Sequence, residues 1–219
     1  MIRILLFCFV LAISLQGLNS QVQFTINPQA GINYSTYSYP EADSTYISPD
    51  LDGRVGFQVG PTVRIGKGWW YIQPGLYWIR QGIGFKSDIG PDAVTVDDLK
   101  DDIYLKGFQI PLVFGANVIN KDAFRLRAQV GFDMGWITGV TKNNYNFDTK
   151  YYTSPFYGAR AGLGLDILFL TFDLGLFRGF TNVYDQDVYA QEFGRKVAAI
   201  KQLGVYANVG FQYTFKDKE

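Results

Sequence analysis

Beyond its first twenty residues the chain alternates apolar and polar side chains through eight successive runs. A strict period of two marks a β-strand whose two faces meet unlike surroundings. The first run, Phe24 to Tyr34, sets Phe24, Ile26, Ala30, Ile32 and Tyr34 against Thr25, Asn27, Gln29, Gly31 and Asn33. The second, Arg54 to Ile65, sets Val55, Phe57, Val59, Val63 and Ile65 against Arg54, Gly56, Gln58, Gly60, Thr62 and Arg64. The others begin near Trp70 and at Tyr104, Phe124, Tyr157, Leu170 and Gln202, the last ending at Phe215. Links after the odd runs are long and polar: Tyr39 to Gly53, Lys86 to Asp102, Thr141 to Pro155 and Asn182 to Ile200. Links after the even runs are only a few residues, as at Gly66-Lys67-Gly68, Asn120-Lys121-Asp122 and the Asp166–Leu168 corner. Long loops at one end and tight turns at the other imply an all-β, eight-stranded antiparallel up-and-down transmembrane β-barrel, with both termini on the turn side.

Alternation alone also suits a soluble barrel, whose apolar face points to a cavity. Three features favour lipid. Several runs exceed the nine to eleven residues, approximately, that a tilted strand needs to cross a bilayer. The polar face is built from Gly, Gln, Asn, Thr and Arg, with almost no Lys or Glu, whereas a water-facing surface carries those charges freely. Strand-interior glycines fall on the polar face, Gly56, Gly131 and Gly162 among them, once Gly82 and Gly84 are placed beyond the bilayer. A tight interior needs that space, and lipid needs apolar bulk outward. Aromatics at both ends of the apolar face fit interfacial girdles: Phe24, Trp70, Phe124 and Phe215 on the turn side, Tyr34, Trp78, Trp136 and Tyr157 on the loop side. Pro28, Pro61, Pro74 and Pro111 fit this scheme poorly, because each removes a ladder donor from a sheet without an edge.

With 219 residues, 47% hydrophobic and 17% aromatic, the chain suffices for one barrel and not for two sizeable domains. Residues 1–20 read as a cleaved signal peptide: Arg3 gives a positive start, Ile4 to Leu15 an apolar stretch, and Gly17 to Ser20 a mostly small or polar end. Residues 21–219 are then the barrel domain of an exported, integral outer-membrane protein. Cys8 is the only cysteine, so the exported part can hold no disulfide. Histidine is absent, which removes Ser-His and Cys-His catalysis and histidine metal sites together. No catalytic, cofactor or metal site is therefore expected. Lys plus Arg equals Asp plus Glu, 20 each, so nucleic acid is not an expected partner.

The stretch Tyr104-Leu105-Lys106-Gly107-Phe108-Gln109-Ile110-Pro111-Leu112 resembles a strand of the PorT-like outer-membrane β-barrel family of Bacteroidota. Pro74-Gly75-Leu76-Tyr77 through Gly82, Gly175 through Gly179-Phe180-Thr181-Asn182-Val183, and the closing run to Phe215 resemble that family in the same order. The Lys106-Gly107 region lengthens the usual spacing, as a bulge would. The resemblance implies a small barrel in the outer membrane. Most members resemble barrels of unassigned role; the family's namesake is associated with type IX protein secretion, which makes an outer-membrane protein complex one partner to expect.

Two sets of charges stand out. On the inward face, Arg125 and Arg127 open the fifth run with Asp166 at the same level, while Asp133, Arg160 and Asp173 are expected higher up at one common depth. They can act as an ion-paired plug or as an ion path; a narrow interior favours the plug, since unpaired buried charge is costly. On the outward face, Arg80, Lys106, Arg178 and Lys201 sit near the loops, where they can snorkel or contact lipopolysaccharide phosphates among the outer-membrane lipids. The acidic loop with Asp92, Asp97, Asp98, Asp101 and Asp102 lacks EF-hand spacing and reads as solvated. The expected role is a non-catalytic membrane scaffold or a subunit of an outer-membrane assembly, the alternative a narrow, porin-like small-solute channel.

Overall fold

The computed structural model describes residues 22–38, 51–85, 103–121, 123–141, 148–194 and 198–215. The signal segment and the acidic loop fall outside the described residues. Ten strands follow in order: β1 (Val22–Ser38), β2 (Leu51–Lys67), β3 (Trp70–Pro74), β4 (Tyr77–Phe85), β5 (Ile103–Lys121), β6 (Phe124–Val140), β7 (Phe156–Ile167), β8 (Leu170–Gly179), β9 (Lys201–Phe211) and β10 (Tyr213–Phe215). A 3₁₀ turn (Thr149–Tyr151) follows β6, and helix α1 (Gln186–Phe193) follows β8.

All pairings are antiparallel: β3 and β4 each pair with β2 and β5, the strands from β5 to β9 pair in chain order, and β1 closes the ring by pairing with β2, β9 and β10. Since β3 and β4 share one position in the ring, as do β9 and β10, the wall has eight strands. Followed once round, the registers return to β1 displaced by about ten residues, the kind of stagger that closing a tilted sheet requires. The wall is inside out relative to a soluble protein. Outward Ile32, Phe132 and Leu174 are 58%, 62% and 63% exposed, while inward Asn27 and Arg127 are 0% exposed. Gly56 and Gly131 are buried on the inner side, and a Cβ on Gly162 would meet the inward Tyr206 hydroxyl.

The prolines explain why two ring positions are broken. Leu76 N–H donates to Pro61 O at 3.0 Å and Gly75 N–H to Pro111 O at 3.0 Å, but neither proline can donate back. The β3–β4 break at Gly75–Leu76 thus lies between two strands that both lack a donor there. Likewise the β1 ladder passes from Gln29↔Gly210 on β9 to Ile26↔Tyr213 on β10, and Pro28 lies in the gap. Pro28 also faces Pro61 across the β1–β2 ladder, so these losses gather at one level of the wall.

Two expectations need correction. A register shift does fall beside Lys106 and Gly107, but the extra residue is Thr138 on β6. The inner face is also not polar throughout. Toward the loops Ile79, Ile83, Ile103 and Leu105 turn inward and are buried. Ile83, Ile103, Leu105 and Ile200 pack with Tyr151, Tyr152 and Tyr184, which the connections after β6 and β8 carry back over the barrel mouth. These connections are tied together: Tyr152 bridges Tyr184, Thr153 N–H donates to Val183 O at 3.0 Å, and Asp185 N–H donates to Tyr151 O at 3.0 Å. Asp185 caps α1 by accepting from the Asp187 and Val188 amides, and Gly194 ends the helix at φ 68°. The connections contain polar residues but bury their apolar ones here, as any segment able to remove tyrosine and isoleucine from water will.

Candidate functional site

The centre of the barrel holds a chain of ion pairs that crosses it. Asp166 on β7 accepts from Arg64 Nη1 on β2 at 2.8 Å and from Arg127 Nη2 on β6 at 2.8 Å. Because β2 and β7 stand on opposite sides of the ring, the first of these bonds spans the lumen. Arg127 Nη2 also reaches Asp173 on β8 at 2.9 Å. Thr171 Oγ1 donates to Asp166 at 2.6 Å, and Gln29 Nε2 on β1 donates to Asp173 at 2.7 Å. The Tyr77 hydroxyl donates to the other end of Gln29, and Arg64 Nε donates to Gln73 at 2.9 Å. Nearer the loops Arg160 Nε meets Asp133 at 2.7 Å, and its guanidinium lies 5.0 Å from the Tyr206 ring centroid. Gln58 donates to Asn208 at 2.7 Å. Arg64, Arg127 and Arg160 face Asp133, Asp166 and Asp173, so these buried charges cancel.

Glycine makes the arrangement fit. A Cβ on Gly115 would lie 2.1 Å from Tyr71 Cζ, on Gly164 2.4 Å from Arg127 Cζ, and on Gly175 2.6 Å from Tyr206 Cζ. Tyr71 fills the space between the cations, its ring centroid 5.2 Å from Arg64 Cζ and 5.8 Å from Arg127 Cζ.

The inward residues singled out from sequence are partly regrouped. Arg127 and Asp166 are together as expected, and so are Asp133 and Arg160. Arg125 is the ladder partner of Asp166 but is half-buried at the turn-side rim, and joins none of the ion pairs among the described residues. Asp173 belongs with Arg127 and not with Arg160. Its ladder neighbour on β7 is Gly164, whereas Arg160 sits opposite Phe177, so the register of the β7–β8 hairpin separates the two along the barrel axis. Arg64 joins this network although the sequence alone does not single it out. Its inward parity was visible, but its partner lies 102 residues away across the lumen.

Above this layer comes the apolar cap formed by Ile83, Ile103, Leu105, Ile200 and the three tyrosines. A cavity of about 30 Å³ lies beside it, bordered by Gln81, Leu105, Phe156, Asn182 and Gln202. That is room for little more than one water. Among the described residues no group of three His, Cys, Asp or Glu is placed to hold a metal ion.

The outward cations do not form one ring. Arg80 and Lys106 are direct ladder partners on β4 and β5. Arg178 on β8 and Lys201 on β9 lie on the opposite side of the wall, Arg178 facing Ala159 and Leu203 and Lys201 facing Ser38.

A family model described as an outer membrane protein beta-barrel domain matches residues 19–185. No curated protein matches the sequence. Among solved structures, OprG from Pseudomonas aeruginosa is 12% identical with TM-score 0.51, covering 90% of this chain and 98% of its own. Neisserial surface protein A is 12% identical with TM-score 0.46, covering 87% and 97%. Ail of Yersinia pestis is 12% identical with TM-score 0.45, covering 88% and 99%. The inside-out wall, its eight-stranded closure and the family match over most of its length agree: the chain belongs to the outer membrane protein β-barrel domain family and resides in the outer membrane.

Proposed function

We propose that this protein is a closed, non-catalytic barrel that serves as a membrane scaffold, working as a subunit of an outer-membrane assembly. One observation carries the reading: among the described residues, ion pairs cross the lumen from β2 to β7 and an apolar cap lies above them. A lumen so crossed and capped leaves little room among the described residues for a solute path. A chain without histidine also lacks the commonest general base. What such a barrel can offer a partner is its outer wall and its loop-side surface. The sequence resemblance to PorT-like barrels makes a protein-secretion apparatus the first assembly to examine. The test is affinity purification from native outer membranes. A stoichiometric protein partner is expected, and a barrel recovered alone would overturn the assembly reading.

A further inference from the structure

We propose that Arg80 and Lys106 form a binding site on the outer wall for a phosphate of lipid A in the outer leaflet. The two cations are directly opposed across the β4–β5 ladder on the lipid-facing side. Like charges so placed repel and destabilise the pairing unless an anion lies between them. Arg80 is also held in position. Its guanidinium carbon sits 3.9 Å from the Tyr104 ring centroid and 5.8 Å from that of Phe57. Tyr104 is two residues from Lys106 on the same strand, so one aromatic ring beside the pair fixes the fork that would meet a phosphate. Planar guanidinium and mobile ammonium are complementary ligands for a phosphate monoester.

The surroundings suit a lipid better than a free anion. Two residues further along each strand toward the membrane, Trp78 pairs with Phe108, and Phe108 pairs with Trp136. Phe57 and Trp78 are in contact, with ring centroids 5.2 Å apart. An acyl chain would run down this aromatic strip while its phosphate rests on the cations above. The β6 bulge adds an exposed hydroxyl at the same height, Thr138, whose Oγ1 donates to the Lys106 carbonyl at 3.4 Å. The other outward pair is built differently: Arg178 has only Ala159 and Leu203 as ladder neighbours. The site therefore lies on one side of the barrel, independent of what the lumen does.

The test uses the folded barrel in detergent, titrated with lipid A and read by native mass spectrometry of lipid adducts. Arg80→Gln with Lys106→Gln should lower affinity by about tenfold or more, the loss expected for charge-assisted bonds. Arg178→Gln with Lys201→Gln should change it less than about twofold. Lipid A stripped of its phosphates should bind the unaltered protein as weakly as intact lipid A binds the first double variant. Millimolar inorganic phosphate should not displace the lipid; displacement would point to a free-phosphate site and overturn the proposal. Equal binding of stripped and intact lipid A, or equal losses from both double variants, would overturn it too. If the first double variant fails to fold, judged by its migration on unheated gels, the comparison of stripped with intact lipid A on the unaltered protein decides.

Discussion

Replacing Asp166 with Asn should destabilise the barrel far more than the loss of one surface ion pair. Asp166 accepts from Arg64 at 2.8 Å, Arg127 at 2.8 Å and Thr171 at 2.6 Å. Its side chain is 2% exposed, and those of Arg64 and Arg127 are 6% and 0% exposed. Asparagine keeps the shape but removes the charge, leaving two guanidiniums with only Asp173 between them. Breaking a buried pair by removing one partner costs about 3–5 kcal/mol, because the other charge is left uncompensated. An exposed pair would cost at most about 1 kcal/mol. Against a typical total of about 5–15 kcal/mol the expected loss is large. The assay is reversible urea unfolding of the barrel in phospholipid vesicles, followed by tryptophan fluorescence. The midpoint should fall by the equivalent of about 3–5 kcal/mol at unchanged slope. A loss below about 1 kcal/mol would mean that water solvates Asp166, and the reasoning from a filled lumen would fail.

Other outcomes follow from the same geometry. For Asp133 and Arg160, each single change, to Leu and to Met, should cost about 3–5 kcal/mol, and the double variant much less than their sum, as a double-mutant cycle in urea will show. Gly115→Ala places a methyl 2.1 Å from Tyr71 Cζ, so it should cost about 1–3 kcal/mol. Much of that should be recovered when Tyr71→Leu is added, which the same unfolding assay reads. Single cysteines along β5, in a chain beginning at Gln21, should react with a lipid-phase reagent at Phe108, Ile110, Leu112 and Phe114 and stay protected at Gln109 and Val113. The reverse pattern would break the assignment of faces.

The wall of the barrel was legible because each strand records both environments in every second residue. Phe108, Ile110, Leu112 and Phe114 face out, and Gln109, Val113 and Gly115 face in, as parity alone requires. The tight turns were legible for a related reason, since the alternation breaks at Gly66-Lys67-Gly68 and the Asp166–Leu168 corner, beside the turn residues Gly68-Trp69 and Leu168-Phe169. Depth was harder. Arg160 and Asp173 share a face, but their relative height is set by where the β7–β8 turn falls, at Leu168-Phe169, and parity alone does not give it. Arg64 was hidden for a different reason: parity placed it inside, and only the closed ring brings it to Asp166. The breaks at Gly75–Leu76 and Gln212 come from prolines on adjacent strands, so the cause lies far away in sequence. The cap was missed because Tyr151, Tyr152, Tyr184 and Ile200 are scattered through otherwise polar connections. The one nearby signal was Ile83, Ile103 and Leu105 on the inward parity, where polar residues were expected.

Conductance across a planar bilayer tests most directly whether this lumen is closed. Purified barrel should insert, as judged by its protection from protease in vesicles, and give no steady current over the baseline. Reproducible open-channel steps whose size changes on Arg160→Ala would contradict the account, because current would then be passing the Asp133–Arg160 pair that is assigned here to filling the interior.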